Sequence, residues 1–461
     1  MILLCLSTIC TVLLILLFRE IHRAATYWRN KGIPYESYGS YLYYFFFCES
    51  RVDIFNSIEE YNKKYGSVYG TYSGLSPVLR VSTREGIKEA LSSNFYETGS
   101  VLTGSKLRLM KDQFERSAKL LTSKLEKLAD TNEEISTAHY SHAAVMNAIA
   151  AVTFSLDIDA FDDPNNKFVE SFTGCFNGSL GFNLMMAFPN ILKYLPFVEY
   201  PPKKLDNYFV QFSRSLLEKR RKQIRNPEEL DFLDSWLESQ KANPKLTDDL
   251  LISQMIIFLI NGFETSAYAL TFAMYLFATH PQMQEKAHRD VIENISDPDN
   301  VTFEDYHKMK YLEAAIWETL RLYPMDFVTD RVTSEPCTIA GVSLDKGITI
   351  HVPTSAVNKD PERFHEPSLF KPERYLEGGE KTQEIISFGE GPKKCVGKRF
   401  AIYQLIIFMA AILRSVRLEP ADDGVYDPSL EYQAEIERQP GQMFLPFPKD
   451  TLRVKVASRR A

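Results

Sequence analysis

The residue with the clearest chemistry in this sequence is Cys395, which stands in a glycine-rich stretch before an apolar segment. The stretch reads Ile386-Ser-Phe-Gly-Glu-Gly-Pro-Lys-Lys-Cys-Val-Gly-Lys-Arg-Phe-Ala401, and the apolar residues after it predict a helix over 400–413. Glycines on both sides of the cysteine permit backbone turns that a Cβ would forbid, and they let a flat ligand approach closely. The four cationic residues nearby, with the positive end of the following helix, favour a thiolate over a thiol.

A thiolate on a rigid loop is the axial ligand that a haem iron takes when an O–O bond is to be cleaved. The pattern Phe388-x-x-Gly391-x-Lys393-x-Cys395-x-Gly397 resembles the haem-thiolate loop of the cytochrome P-450 family, in which the position of Lys393 is usually Arg. The other interpretation is a buried structural cysteine beside a turn. The resemblance implies that Cys395 is the iron ligand and that the other named residues of the pattern lie around the cofactor.

A long apolar segment begins with Thr247-Asp-Asp, runs to Thr279 and is followed by Pro281. The N-cap residue and the early acids predict the start of one long helix. A helix that is apolar on almost every face is expected to be buried. Asn261 and Glu264 at its centre argue that it is not a membrane span.

Glu264 and Thr265 place an acid beside a hydroxyl in the middle of this helix. Gly262 costs ~1 kcal/mol relative to alanine, so we expect it to serve a close approach or a local widening. Taken alone, the segment also fits a kinked core helix with a satisfied threonine. It resembles the oxygen-activating helix of the family, with Asn261 where Ala is more usual. The resemblance implies that Thr265 and Glu264 deliver protons and that Gly262 leaves room for dioxygen.

Glu318 and Arg321 form an i, i+3 pair on the predicted helix 312–322. Surface pairs of this kind contribute little, but only this one stands between the long helix and the cysteine loop. By resemblance, the pair has a third partner, an arginine in a Pro-Glu-Arg-aromatic turn. Arg363 and Arg374 both fit. We expect Arg374, because its Pro-Glu-Arg-Tyr turn follows a Glu-Pro-x-x-Phe lead-in.

Arg331 precedes a predicted strand pair, 337–339 and 348–352, with an Asp-Lys-Gly turn before the second strand. The resemblance implies that Arg331 binds a haem propionate. The alternative is an ordinary arginine at a strand edge. By resemblance, the walls of the substrate pocket come from residues 325–328, 258–267 and 442–445.

The composition excludes some classes of protein. A hydrophobic fraction of 45% in 461 residues suits a large buried core, and a net charge of −7 argues against a general nucleic-acid binder. The six cysteines lack metal or disulfide spacing, which indicates a reducing compartment.

The first residues predict a membrane anchor. The run from Ile2 to Phe18 carries no charge. Its length lies at the short end of the range that spans a bilayer, about 17–25 residues. Arg19, Arg23 and Lys31 follow it, so we expect the body of the chain on the cytoplasmic side. A cleaved signal peptide is the competing interpretation, but no charged region precedes the run.

One part of the sequence departs from the family. Members carry a helix with a Trp-x-x-x-Arg motif ahead of the region that matches residues 107–125, and none of the three tryptophans of this chain fits it. The sequence passes from Tyr96 almost directly to Leu102, so we expect an internal deletion between residues 96 and 102. The absent part would include one pocket wall, one propionate anchor and part of the face that meets the electron donor.

The sequence therefore predicts a mainly α fold with a small β region, the cytochrome P-450 fold, preceded by one N-terminal transmembrane helix. Residues 1–22 are the expected anchor, and residues 23–461 the haem-thiolate domain. The resemblance implies a monooxygenase that inserts one oxygen atom from dioxygen into a lipophilic substrate. It implies haem b as cofactor, NADPH–cytochrome P-450 reductase and cytochrome b5 as partners, and the endoplasmic reticulum membrane as location, with the catalytic domain facing the cytosol.

Two other functions stay open at this point. One is a haem-thiolate isomerase or dehydratase that needs no reductase, against which Thr265 argues. The other is a truncated, non-catalytic isoform with impaired haem binding, which the absent Trp-x-x-x-Arg helix favours.

Overall fold

The structure is a computed structural model, and it describes residues 2–41, 60–92, 104–163, 166–169, 171, 203–223, 232–243, 245–326, 328–376, 385–421 and 452–459. The expected deletion between residues 96 and 102 and the expected pocket wall at 442–445 lie outside these residues.

Helices dominate the described part of the chain. They are α1 (Ile2–Lys31), α2 (Arg84–Ser92), α3 (Gly104–Leu128), α4 (Thr137–Phe154), α5 (Lys203–Lys222), α6 (Phe232–Ala242), α7 (Asp248–Thr279), α8 (Pro281–Asn294), α9 (Phe303–Lys308), α10 (Lys310–Leu322), α11 (Thr354–Asn358) and α12 (Lys398–Ser415). Short 3-10 turns cover Pro372–Tyr375 and Gly391–Lys393.

The strands are short and form three small sheets. They are β1 (Val68–Ser73), β2 (Ser76–Val81), β3 (Ile135–Ser136), β4 (Thr329–Val332), β5 (Cys337–Ile339), β6 (Val342–Leu344), β7 (Thr349–Val352), β8 (Val416–Pro420) and β9 (Arg453–Ser458). The strand orders are β1-β2-β7-β4, β3-β9-β8 and β5-β6. In the largest sheet β2 and β7 are parallel, and the other neighbours are antiparallel.

One expectation about the strands was wrong. The segments 337–339 and 349–352 are strands, but they do not pair with each other. β5 forms a hairpin with β6, because Ala340 and Gly341 both adopt positive φ, 49° and 76°, as a two-residue type I′ turn requires. β7 pairs instead with β2 and β4, which brings Arg331 into the largest sheet.

The long helix α7 forms the centre of the main core. The Thr247 hydroxyl accepts the backbone N–H of Leu250 at 3.3 Å, and this N-cap sets the start of the helix where the sequence predicts it. Most of its residues from 266 onward are buried, and α4 is its closest neighbour. By length and composition alone, α7 is the one helix of the described residues that could cross a membrane, a test that buried core helices also pass.

A second, smaller core lies between the largest sheet, α2 and the C-terminal half of α1. Trp28 of α1 is fully buried there, and its indole N–H donates to the carbonyl of Thr71 at 2.8 Å. The prediction of a mainly α fold with a small β region is confirmed by this arrangement of helices and short sheets.

Candidate functional site

The cysteine loop, residues 386–397, folds back on itself in front of α12. The N–H of Gly389 donates to the carbonyl of Ile386, and the N–H of Cys395 donates to the carbonyl of Phe388, both at 2.8 Å. Gly389 and Gly391 adopt φ values of 66° and 73°, the left-handed region that glycine enters without strain. The glycines therefore let the loop close on itself and fix the backbone that carries the thiol.

The start of the loop is tied to α10 and α11 by buried hydrogen bonds. The hydroxyl of Ser387 donates to the carbonyl of Leu320 at 2.7 Å and accepts the side-chain N–H of Asn358 at 2.8 Å. The side-chain oxygen of Asn358 accepts the N–H of Ile386 at 3.2 Å. Neither Ser387 nor Asn358 was predicted from the sequence as a residue of the site. The sequence marks Ser387 only as a polar residue between the apolar Ile386 and Phe388.

The Cys395 thiol is exposed, although protein surrounds it on most sides. The surrounding protein desolvates it enough to raise its pKa, against the opposing effect of the backbone N–H groups of Gly397 and Lys398. In the protein without its cofactor, burial therefore opposes the effect of the nearby cations on the thiol. A bound metal ion would deprotonate the thiol outright.

The cations around the thiol have different surroundings. The ammonium of Lys398 lies 4.6 Å from the ring centre of Trp317 and 5.9 Å from that of Phe388. These two rings pack edge to face at 5.6 Å. Burial lowers the pKa of Lys398. All four cations, Lys393, Lys394, Lys398 and Arg399, are exposed.

Glu318 forms a buried cluster with Arg321 and Arg374. Its two oxygens accept from Nε and Nη2 of Arg321, both at 2.8 Å, and Oε1 also accepts from Nε of Arg374 at 3.1 Å. All three side chains are almost fully buried. Arg321 and Arg374 also donate to the carbonyls of Pro367 and Glu366, at 2.6 and 2.7 Å. The cluster therefore connects α10 to the chain segment that precedes the cysteine loop.

Arg331, in β4, reaches the cysteine loop. Its Nη2 donates to the carbonyl of Glu390 at 3.4 Å, and its Nη1 donates to the carbonyl of Asp330 at 2.7 Å. Its Nε is buried and has no hydrogen-bond partner among the residues that the structure describes. Burial lowers the pKa of the guanidinium, and no ion pair with a carboxylate holds it within the described part of the chain. A half-buried arginine of this kind is suited to a carboxylate of a ligand.

One face of α7 is open at its centre. Ile257, Asn261 and Thr265 follow each other at a spacing of four and so share a face; Ile257 is 50% exposed and Asn261 is exposed. The hydroxyl of Thr265 donates to the carbonyl of Asn261. The neighbouring Glu264 carboxylate lies 3.7 Å from Nε2 of His142 on α4, an ion-pair contact that the sequence did not suggest.

Gly262 lies where α4 approaches α7. A Cβ added at this position would stand 2.9 Å from Cδ1 of Ile149 and 3.9 Å from a ring carbon of Phe400. The first distance is shorter than ordinary van der Waals contact, so alanine would require Ile149 to move. The glycine therefore serves a close approach of two helices, one of the two roles that the sequence allowed.

These residues fit a haem better than a free metal ion. Among the described residues, no group of three or more His, Cys, Asp or Glu side chains is placed to hold a metal. A single thiol therefore suits an iron that brings its remaining ligands with it. The Nε of Arg331 that lacks a partner offers a donor for a carboxylate of the same group.

Comparisons with known proteins point the same way. A family model described as cytochrome P-450 matches residues 96–447. Cytochrome P-450 3A56 of Fundulus heteroclitus is 29% identical over 434 residues, with 83% of this chain and 85% of the relative covered. Cytochrome P-450 3A40 of Oryzias latipes is 27% identical over 478 residues, which cover 94% and 91% of the two chains. Cytochrome P-450 3A9 of Rattus norvegicus is 26% identical over 447 residues, with 86% of each chain covered.

The alignment with the relative from Oryzias latipes extends over 478 residues, more than the 461 residues of this chain. Some positions of that relative therefore have no counterpart here. The place of the gap, between Tyr96 and Leu102, stays a prediction.

Proposed function

Because the chain belongs to the cytochrome P-450 family of haem monooxygenases, we propose that it inserts one oxygen atom of dioxygen into a lipophilic substrate with electrons that a reductase supplies from NADPH. The family uses haem with a cysteine thiolate as axial ligand. The observation that carries the proposal is the position of Cys395: its exposed thiol stands on a loop that hydrogen bonds hold to α10, α11 and β4.

In this proposal the residues of the loop divide the work of holding the cofactor. Cys395 ligates the iron, and the haem-thiolate unit supplies the chemistry that cleaves dioxygen. Arg331 and Lys393 bind the propionates, Phe388 packs beside the ligand, and the glycines at 391 and 397 keep the backbone close to it. A Cβ at Gly397 would stand 3.7 Å from the Cys395 sulfur, so a larger side chain there would crowd the ligand atom.

Proton delivery is assigned to α7. Thr265 holds its hydroxyl on the open face of the helix through its bond to the Asn261 carbonyl. Glu264 precedes Thr265 in the chain and contacts His142, whose ring is partly exposed. This contact supports a route for protons from the surface of α4. The hydroxyl of Thr265 then passes the proton into the cavity. An isomerase that rearranges peroxides would need no such delivery, so this pair favours the monooxygenase.

The proposed protein partners rest on the exposed cations near the cysteine loop. Lys394, Lys398 and Arg399 are exposed near the cysteine loop and would attract an acidic donor protein. We assign that role to NADPH–cytochrome P-450 reductase, with cytochrome b5 as a second donor. Purified reductase should therefore support product formation, and high salt should weaken that support by screening the charges. Turnover with reductase that is insensitive to salt would exclude these lysines from the contact.

The anchor is assigned to residues 1–22 and the haem-thiolate domain to residues 23–461. On α1, Ile15 and Phe18 are 61% and 72% exposed, whereas Trp28 is fully buried against the body. A helix that exposes large apolar side chains at one end suits a bilayer there. With the cations that follow, this supports the endoplasmic reticulum membrane and a cytosolic domain. A chain that lacks residues 2–18 should keep its fold and should no longer stay bound to washed membranes. If it does stay bound, residues 2–18 are not the anchor.

The test of the function is NADPH consumption by the holoenzyme with purified reductase, with and without oxygen. A monooxygenase consumes NADPH only with oxygen and forms oxidised product, whereas an isomerase converts a peroxide without either. The second candidate function is a haem-binding isoform without coupled turnover, and the alignment that exceeds the chain in length favours it. This candidate is supported if hydrogen peroxide accumulates while none of a panel of lipophilic compounds gives product under any condition.

A further inference from the structure

Asp326 is a carboxylate that the proposed mechanism does not use. It lies between the end of α10 and the start of β4. Its side chain is exposed, yet surrounding protein removes enough water to raise its pKa to about 6. The same combination of exposure and desolvation marks the Cys395 thiol. A side chain with both properties is reached by solvent and yet has protein on most sides, as in the wall of a cleft.

The contacts of the neighbouring residues put Asp326 between α7 and the cysteine loop. On one side, the ring of Tyr323 stacks on that of Phe272 of α7, with centres 4.0 Å apart. On the other side, Arg331 donates to the carbonyl of Glu390 at 3.4 Å. The segment from 323 to 331 is therefore attached at one end to the helix that carries the acid and hydroxyl, and at the other end to the loop that carries the thiol.

The carboxylate of Asp326 is oriented but not neutralised. Its Oδ2 accepts the hydroxyl of Thr329 at 3.2 Å, and the backbone N–H of Val328 also donates to the carboxylate. Asp330 and Arg331 are the charged groups that act on it, with opposite effects. Within the described part of the chain it forms no ion pair with a Lys, Arg or His side chain.

We propose that Asp326 selects substrates that carry a cationic centre, a protonated or quaternary amine, on a lipophilic body. The inference rests on the proposed function, because it assigns a substrate class to the same site. An ionised carboxylate in a partly desolvated space costs free energy when it has no partner. A cationic group of the substrate offsets this cost.

The test compares two probes of the same shape with the haem-loaded protein. One is trimethyl(4-phenylbutyl)ammonium, whose charge is permanent and whose nitrogen cannot ligate iron; the other is its uncharged carbon isostere, (5,5-dimethylhexyl)benzene. Binding is measured by calorimetry and by the change in haem absorption. We expect Asp326→Asn to weaken binding of the cation by about tenfold or more, the loss that follows removal of a charged partner. The affinity for the isostere should change by less than about twofold.

Asp330→Asn is the matched control, because it removes an exposed carboxylate four residues away in the same segment. It should weaken binding of the cation far less than Asp326→Asn does, and it should leave binding of the isostere unchanged. If Asp326→Asn changes both probes equally, or changes neither, the inference is wrong.

A second measurement separates ligand selection from a purely structural role. The pKa of Asp326 is raised from 3.8 to about 6, so the ionised form destabilises the fold above pH 6 and the neutral form does not. At pH 7.5 without ligand, Asp326→Asn should therefore be at least as stable as the parent. A clear loss of stability would show that Asp326 serves only the turn.

The inference and the proposed function fail in different ways. Coupled turnover of neutral lipophilic compounds, without preference for the cation, overturns the assignment of Asp326 and leaves the monooxygenase intact. Absence of a haem-thiolate site overturns both.

Discussion

Glu318 and Arg374, which are far apart in the sequence, meet in the interior, where Nε of Arg374 donates to Oε1 of Glu318 at 3.1 Å. Oε1 of Glu318 also accepts Nη2 of Arg321 and the backbone N–H of Lys371, at 2.8 and 2.9 Å. The carboxylate thus has partners on both of its oxygens. Because a charge buried in this way depends on every partner, the cluster should respond strongly to the loss of one.

Arg374→Met should lower the free energy of unfolding by about 3 kcal/mol, because it removes one partner of a buried charge. The measurement is urea unfolding followed by circular dichroism, with haem content determined on the same samples. The matched control is Arg363→Met, from the other Pro-Glu-Arg-aromatic turn, whose Nε lies 3.6 Å from Asp360. We expect that change to cost clearly less than Arg374→Met, because Asp360 is 30% exposed and water can solvate its carboxylate when the partner is lost. Equal losses in the two variants would contradict the role of the cluster.

Thr265→Ala should reduce the product formed per NADPH consumed several-fold, with a matching rise in hydrogen peroxide, because the hydroxyl no longer passes protons into the cavity. The control is Thr271→Ala on the same helix. Its hydroxyl makes the same kind of bond, to the carbonyl of Ala267 at 2.8 Å, but it is fully buried. Thr271→Ala should keep the ratio of product to NADPH. If both variants stay coupled, Thr265 has no part in proton delivery.

Arg331→Leu should accelerate haem loss to an excess of apomyoglobin by about tenfold, because a charged hydrogen bond to a propionate is removed. Arg331→Lys keeps the charge but not the geometry of the guanidinium, so we expect an intermediate rate. The rate is followed by the absorption of the acceptor. If all three proteins transfer haem at the same rate, Arg331 does not hold the haem and is an ordinary arginine at a strand edge.

The sequence predicted the parts of the site that depend on local spacing. The start of α7 followed from Thr247 and the acids after it, and the glycines around Cys395 predicted the turns that the loop makes. The choice of Arg374 over Arg363 rested on the resemblance and on the residues before the turn. In the structure Arg374, and not Arg363, contacts Glu318.

What the sequence did not predict depends on contacts between distant segments. The contact of His142 with Glu264 joins α4 to α7, and the bonds of Asn358 to the cysteine loop join α11 to residues far along the chain. Neither has a spacing rule. The surroundings of the Cys395 thiol are a related case: the cations near it are visible in the sequence, whereas its burial is a property of the fold. Asp326 belonged to an expected pocket wall, but the sequence did not predict a role for its charge.

The most direct test of the central claim is the absorption spectrum of the reduced protein under carbon monoxide, recorded for the parent chain and for Cys395→Ala. Cys337→Ala is the control, because Cys337 is a free cysteine in β5, outside the site. A haem ligated by the Cys395 thiolate should give the red-shifted Soret band of a thiolate complex in the parent and in the control, and the band should be absent in Cys395→Ala. A histidine-like band in the parent, or a thiolate band that survives in Cys395→Ala, would contradict the assignment.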